Sequence, residues 1–181
     1  MSPAVAGSPG SGPGIADETE RGEEGEATFA ERLVGAAVAL SVAASMIHAS
    51  VIVPHFREYF LFGVFFVVSA IFQLVWGLVV WNRRDDRTLL QLGAWINLAI
   101  VLLWVATRTV GLPIGPEPGE VEPAGLHDLL ATGDEIALAV ACLLAVWAGD
   151  RTVRGLAWLP AALWVFAIVS GVLAFPGPHS S

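Results

Sequence analysis

The chain contains no lysine and only one cysteine, Cys142. Its nine basic residues are therefore all arginines, and 17 acidic residues outnumber them. Because a protein that binds nucleic acid needs a dense basic surface, this composition predicts no nucleic-acid partner. A single cysteine excludes an intrachain disulfide and a cysteine-cluster metal site. Since Cys142 lies within an apolar segment, we expect it to be a small packing residue.

Charged residues are also scarce, at 14% of the chain against 55% hydrophobic residues. A soluble domain usually carries about 25% charged residues, so lipid is the expected main solvent. Runs of roughly 20 apolar residues are long enough to cross a bilayer as helices. Five such runs cover Leu33–Val53, ended by Pro54, then Tyr59–Trp81, Leu89–Gly111, Leu126–Ala148 and Gly155–Phe175. We therefore predict an all-α integral membrane bundle of five transmembrane helices within residues 29–176.

The two ends of the chain differ from this apolar part. Residues 1–28 are rich in Pro, Gly and Ser and then acidic, which predicts a disordered acidic cytoplasmic tail. Residues 177–181 form a short outer tail, and His179 within it is assigned no role. With the N-terminus in the cytoplasm, two arginines, Arg57 and Arg108, fall outside. The other seven fall inside: Arg21, Arg32, Arg83, Arg84, Arg87, Arg151 and Arg154. This asymmetry predicts a cell-membrane protein with its N-terminus cytoplasmic and its C-terminus outside.

In this topology, ionisable side chains gather in the outer half of the bundle. Charges within a membrane segment are costly, so each is a functional-site candidate. The candidates are His48, His55, Glu58, Arg108, His127, Asp128 and Glu135. At about 100° per residue, His48 shares one stripe of the first helix with Ser41 and Ser45, and the three acidic or imidazole candidates of the fourth helix share one arc. We expect these two faces to be turned toward each other.

Imidazole and carboxylate groups together suit Zn, Cu(II) or Fe. We therefore predict a metal site drawn from His48, His55, Glu58, His127, Asp128 and Glu135. An alternative is a haem b site with His48 and His127 as its ligands, since such sites are built inside helix bundles. No HExxH, CxxC or CxxCH motif points to one particular metal chemistry.

Each candidate also has a purely structural interpretation. Arg108 would form an ion pair with Glu135, or with Asp128, that joins the third and fourth helices. His48 would be a buried hydrogen-bonding residue in an interface of small side chains. Gln73 and Asn97 lie at similar depth in the inner half, and we expect a hydrogen bond between them. Residues 111–125, with four prolines and four glycines, would form a semi-rigid cover over the cluster or a simple interhelical connection.

Two segments carry a resemblance to other proteins. They read IHASVIVPHFREYFLFGVFFVVSAIFQLVWG and RTVGLPIGPEPGEVEPAGLHDLLATGDEIALA. Both resemble segments of uncharacterised small multi-pass membrane proteins of high-GC bacteria, which carry a similar Arg-Thr-x-Gly-Leu-Pro turn and an Asp-rich helix start. The resemblance covers most of residues 30–150. It implies the membrane topology and transfers no activity.

Three functions follow from these patterns. The first is binding of a metal ion, haem or small polar ligand by His48, His127 and Glu135, with Arg108 neutralising surplus carboxylate charge. The second is a structural or accessory membrane subunit whose buried polar groups only specify helix packing. The third is a metal-dependent membrane-embedded enzyme. The expected partners are the lipid bilayer and either further copies of the chain or another membrane protein.

Overall fold

The computed structural model describes residues 15–148 and 154–175, with side chains for 29–148 and 155–175. This part of the chain is helical, without strands, as the sequence predicts. Its elements are α1 (Ile15–Glu58), α2 (Phe60–Asn82), α3 (Arg87–Thr109), α4 (Leu126–Ala148), a 3-10 turn (Arg154–Leu156) and α5 (Leu159–Leu173). Because α1 begins at Ile15, it extends into the segment predicted to be disordered. Residues 1–14 and the tail with His179 lie outside the described residues, so those predictions stay predictions.

The first helix does not end at Pro54, where the sequence predicts its end, but continues to Glu58. A proline removes one backbone donor and loosens the preceding turn. At Pro54 the lost bond is the one to Ser50 O. Helical bonding resumes beyond it, as Tyr59 N donates to His55 O over 2.9 Å, so the helix passes through the proline at the cost of one bond.

Four helices are long and apolar enough to cross a membrane: Phe29–Glu58 within α1, α2, α3 and α4. The fifth helix is shorter than predicted, with 15 residues from Leu159 to Leu173. Pro160 lies in its first turn, where the missing N–H has no intrahelical partner to lose. The helix therefore begins at Leu159, just before this proline, and not at Gly155.

The helices pack in an up-and-down bundle around α1, which contacts α2, α4 and α5, while α3 packs mainly on α4. The faces of α1 and α4 that meet are built of small side chains, including Ala37, Ala44 and Ala141, all fully buried. Small residues let helix backbones approach closely, which is how helices associate within lipid. Cys142 is fully buried in the hydrophobic core, which confirms its predicted role in packing.

The third helix meets the second through polar groups in the middle of the bundle. Gln73 Nε2 donates to Asn97 Oδ1 over 2.7 Å, and Asn97 Nδ2 donates to Gly93 O over 2.8 Å. The Ser41 hydroxyl lies 2.7 Å from the side-chain oxygen of Gln73. The predicted Gln73–Asn97 hydrogen bond is thus confirmed. We call Ser41, Gln73 and Asn97 the Gln73 network.

The connection from α3 to α4 folds back over the end of the bundle, which we call the loop end. Gly111 takes a φ of 70°, and a Cβ there would meet the backbone of Gly119 at 2.5 Å. Glu122 N donates to Thr107 O over 3.2 Å, and Gly119 N donates to Leu112 O over 2.7 Å. The loop is therefore a shaped cover held by backbone bonds, as one of the two sequence interpretations proposes.

Candidate functional site

A buried imidazole–carboxylate pair lies at the centre of the loop-end half. His48 of α1 and Glu135 of α4 are 2% and 1% exposed, and Nε2 of the imidazole lies 3.0 Å from Oε1 of the carboxylate. The helix interface of small residues brings α1 and α4 close enough for this contact. The predicted meeting of the two helix faces is confirmed at this pair. Ser45, on the same stripe, instead donates to Ala70 O of α2 over 2.8 Å.

Arg108 bonds a different set of carboxylates from the predicted one. Its Nη1 donates to Glu122 Oε2 over 2.5 Å, and its Nη2 donates to Asp128 Oδ2 over 2.9 Å. The predicted Arg108–Glu135 pair is therefore wrong, whereas the alternative with Asp128 is confirmed. The physical reason is depth. Arg108 lies in the last turn of α3, level with the first turn of α4, whereas Glu135 lies seven residues beyond Asp128, about 10 Å deeper along the helix.

The predicted metal ligands are not brought together. Within the residues whose side chains are described, no group of three or more His, Cys, Asp or Glu could hold a metal ion. His55 lies on α1 two turns from His48 and packs against Phe66, with ring centroids 4.0 Å apart. Glu58 is exposed at the end of the same helix. His48 and Glu135 thus form a pair and not a metal cage.

The predicted haem pair of His48 and His127 is also separated. His127 is half-buried in the first turn of α4 and does not line the cavity beside His48. His48 lies level with Glu135, which is eight residues further along α4, so about 12 Å of helix rise separates the two imidazoles. The two histidines consequently do not face each other across one site.

A second buried carboxylate lies next to Glu135 on α4 but faces another helix. Asp134 is fully buried, and the Ser170 hydroxyl of α5 donates to its Oδ1 over 2.9 Å. Its Oδ2 has no hydrogen-bond partner. Adjacent residues on a helix point about 100° apart, so Asp134 joins α4 to α5 while Glu135 joins α4 to α1.

A cavity of about 240 Å³ lies between α1, α2, α3 and α4 under the loop, and we call it the loop-end pocket. Its polar lining contains His48, His55, Thr107, Arg108, Glu122, Asp128, Thr132 and Glu135. Its apolar lining contains Leu61, Phe62, Phe65, Phe66, Ile100, Leu103, Trp104, Leu112, Ile114 and Ala131. A mostly apolar cavity with a few convergent polar groups is typical of a small-molecule site.

Several of these residues are not among the sequence-predicted site residues. The loop holds three glutamates between Glu117 and Glu122, and nothing in their spacing distinguishes the one that bonds Arg108. Trp104 and Phe66 are aromatic residues within apolar runs. The sequence does not distinguish them as pocket residues, because aromatic side chains occur in such runs at lipid-facing positions as well. Trp104 lies one helical turn before Arg108, and this spacing is the only available signal for it.

Comparison of the chain with protein-family models, with curated proteins and with solved structures found no match. The site is therefore interpreted from its own geometry.

Proposed function

We propose that the chain is a five-span membrane protein of the cell membrane, with its N-terminus in the cytoplasm. The four membrane-length helices and the arginine asymmetry support this topology. The fifth span would be the shorter α5, whose 15 residues rise about 22 Å, together with the residues that flank it. In this orientation the loop end faces outward. We also propose that the chain is related to the small multi-pass membrane proteins that its two segments resemble.

In this membrane setting, the loop-end pocket binds a small molecule from the outer half of the bilayer. The observation that carries this proposal is the buried His48–Glu135 pair in the wall of a cavity of about 240 Å³. Buried polar groups of this kind in a membrane bundle usually line a ligand or ion path. Ligand pockets usually measure about 300–1,000 Å³, so the ligand is at the small end of this class.

Among the three ligand types considered from the sequence, the small polar ligand fits best, and the mostly apolar walls of the pocket favour an organic molecule with few polar groups. A protein metal site usually draws three or four ligands from the chain, and no such group occurs among the described side chains. A haem held by two histidines would need His48 and His127 at one site, and His127 of α4 lies about 12 Å of helix rise from the level of His48. The remaining type needs only an apolar cavity and a few polar contacts, and the loop-end pocket has both.

The test compares a variant that fills the cavity with a matched lipid-facing variant. Ala131 lines the pocket, so Ala131→Phe places a ring within it. Ile136→Phe, on the exposed face of the same helix, is the control. Purified full-length protein is analysed for bound organic molecules by mass spectrometry, for metals by elemental analysis and for haem by its absorption.

The proposal predicts one organic molecule near one equivalent in the wild type and in Ile136→Phe, and its loss in Ala131→Phe. Equal amounts in all three proteins, or none in any, would contradict it. A stoichiometric metal or haem that depends on His48 would instead restore the ligand types set aside above.

A second candidate function is supported by the Gln73 network, which joins three helices without lining the loop-end pocket. In this alternative, the chain is an accessory subunit whose polar groups specify packing, and the exposed apolar faces of α2 and α3 meet another copy or another membrane protein. Mass measurement of the protein in native lipid discs tests it. A defined oligomer together with an empty pocket would favour the subunit role over ligand binding.

A further inference from the structure

Most of the unpaired buried polar atoms lie at the loop-end pocket. Four buried side-chain nitrogen or oxygen atoms in the described part of the chain have no hydrogen-bond partner, and one is Asp134 Oδ2. The other three are His48 Nδ1, Trp104 Nε1 and Arg108 Nε, and all three residues line the pocket. An unpaired buried polar group costs about 1–3 kcal/mol of stability as a general rule, so three around one cavity call for an explanation.

Two of these three atoms can only donate. An indole Nε1 carries one N–H, and a guanidinium Nε carries another, and neither has a lone pair to offer. Trp104 and Arg108 are four residues apart on α3, so they occupy one face on successive turns. Both nitrogens are buried in the α3 wall of the pocket and are not open to the cavity, so a ligand that supplies acceptor atoms reaches them when these two side chains turn toward it.

The charge of the pocket disfavours an anion as that acceptor. Arg108 already bonds the carboxylates of Glu122 and Asp128, so two carboxylates share one guanidinium, and Glu135 lines the same pocket. An added anion would meet this surplus of negative charge at short range. A cation would meet the two N–H donors of α3. A neutral molecule with oxygen acceptors fits the donors and adds no charge.

The residues that line the walls and the opening of the pocket indicate the shape and polarity of the ligand. The pocket is lined by the Trp104 indole and by three phenylalanines of α2, Phe62, Phe65 and Phe66. Flat rings pack favourably against aromatic side chains. Leu61, Leu103 and Ile114 line the pocket and are also exposed on the surface of the bundle. The side of the pocket at Leu61 of α2 and Leu103 of α3 is therefore apolar, whereas Glu122 and Asp128 are partly exposed on its loop side. A lipophilic ligand enters through the apolar side.

We propose that the loop-end pocket binds a neutral, lipophilic ring compound that carries carbonyl oxygens, of the quinone class. The carbonyl oxygens accept hydrogen bonds from Trp104 Nε1 and Arg108 Nε, and the ring packs against the phenylalanines of α2. His48 Nδ1 supplies one further hydrogen-bonding atom, and Glu135 holds its ring in place through Nε2. This inference rests on the proposed function and specifies the class of its ligand.

The experiment titrates three probes of similar shape into the full-length protein in detergent micelles, with calorimetry as the readout. The probe 1,4-naphthoquinone is neutral and has two carbonyl acceptors. Naphthalene has the rings without acceptors, and 1-naphthoate carries a negative charge. The variant Trp104→Phe keeps an aromatic ring and removes the N–H. Its control, Trp95→Phe, changes an indole of the same helix that is 66% exposed and does not line the pocket.

We expect saturable binding of 1,4-naphthoquinone that is about tenfold or more tighter than binding of naphthalene, which is the size of one hydrogen bond. Trp104→Phe removes most of this preference, and Trp95→Phe leaves it unchanged. Arg108→Lys, which keeps the charge but lacks Nε, is the second variant if Trp104→Phe does not fold.

Equal affinity for naphthalene and 1,4-naphthoquinone would overturn the assignment of donors, and tighter binding of 1-naphthoate would overturn the neutral ligand. Failure of all three probes, while the cavity-filling experiment still detects a bound molecule, overturns the quinone class and leaves the proposed function standing. Failure in both experiments overturns both.

Discussion

The loop-end pocket and the Gln73 network are both built from polar side chains buried between helices, and they differ in how far these groups are paired. In the Gln73 network, every amide and hydroxyl group has a partner, and the bonds link α1, α2 and α3 directly. Around the loop-end pocket, the His48–Glu135 pair is joined, yet three nitrogen atoms lack partners. A satisfied network fixes helix packing, whereas the unpaired nitrogen atoms around the loop-end pocket are the groups that the proposed ligand would bond.

The largest effect is expected for Glu135→Ala, which leaves His48 buried without its partner. Breaking a buried pair in this way costs about 3–5 kcal/mol of unfolding free energy. Reversible denaturation in mixed micelles measures it. Replacing both residues, in His48→Leu/Glu135→Leu, is expected to recover much of the loss because no lone polar group is left. A loss below about 1 kcal/mol for the single variant would show that the pair is not held away from water.

The next largest effect is expected for Gln73→Leu, which removes the centre of the satisfied network. Asn97 and Ser41 then lose their side-chain partner, and the unfolding free energy falls by about 1–3 kcal/mol. Ligand binding at the loop-end pocket should stay unchanged, because Gln73 does not line it. The same denaturation assay and a titration with 1,4-naphthoquinone check both halves of the prediction. Loss of 1,4-naphthoquinone binding in a folded Gln73→Leu protein would contradict the assignment of binding to the loop-end pocket and of packing to the Gln73 network.

A smaller effect is expected for Arg108→Lys, which replaces a two-armed contact to Glu122 and Asp128 with a single ammonium group. Because both carboxylates are partly exposed, the stability cost is about 1 kcal/mol or less. The loop over the pocket loses one tie, so amides of residues 111–125 should exchange faster by hydrogen-exchange mass spectrometry. Arg57→Lys, at an exposed arginine of the same end, is the control. Unchanged exchange would mean that the backbone bonds alone hold the loop.

The smallest effect is expected for His127→Ala. This imidazole is half-buried and does not line the pocket, so its loss should change the unfolding free energy by no more than about 0.5 kcal/mol. Binding of 1,4-naphthoquinone should also be unchanged, in contrast to a His48→Ala variant. Titration of the two single variants side by side checks this. An equal loss of binding affinity in the two variants would indicate that both histidines belong to one site.

The helices could be predicted from the sequence because long apolar runs have few alternatives in lipid. Their ends were less predictable where local chemistry competes with a general rule. Pro54 is an example, since it removes only one backbone bond and α1 continues to Glu58. Pro160 differs, since it lies in the first turn of α5, which begins at Leu159 and is shorter than the predicted run.

The site was predictable in part. Angular position on a helix indicates which side chains share a face, and it correctly predicted that His48 faces α4. Depth requires the relative height of two helices, which is set by loop geometry and cannot be read from either helix alone. For this reason Arg108 was expected at Glu135 and lies instead at Asp128, two turns nearer the loop. The partner from the loop, Glu122, depends on the turn at Gly111 and had no sequence signal.

The most direct test follows side-chain nitrogen atoms of the two regions during one titration. In ¹⁵N-labelled protein, the indole resonance of Trp104, assigned through Trp104→Phe, and the amide resonances of Gln73 and Asn97 are observed as 1,4-naphthoquinone is added. We predict a saturable downfield shift of the Trp104 N–H, with the two amides unmoved. An unmoved Trp104 resonance, or equal shifts at Gln73 and Asn97, would contradict the assignment of ligand binding to the loop-end pocket.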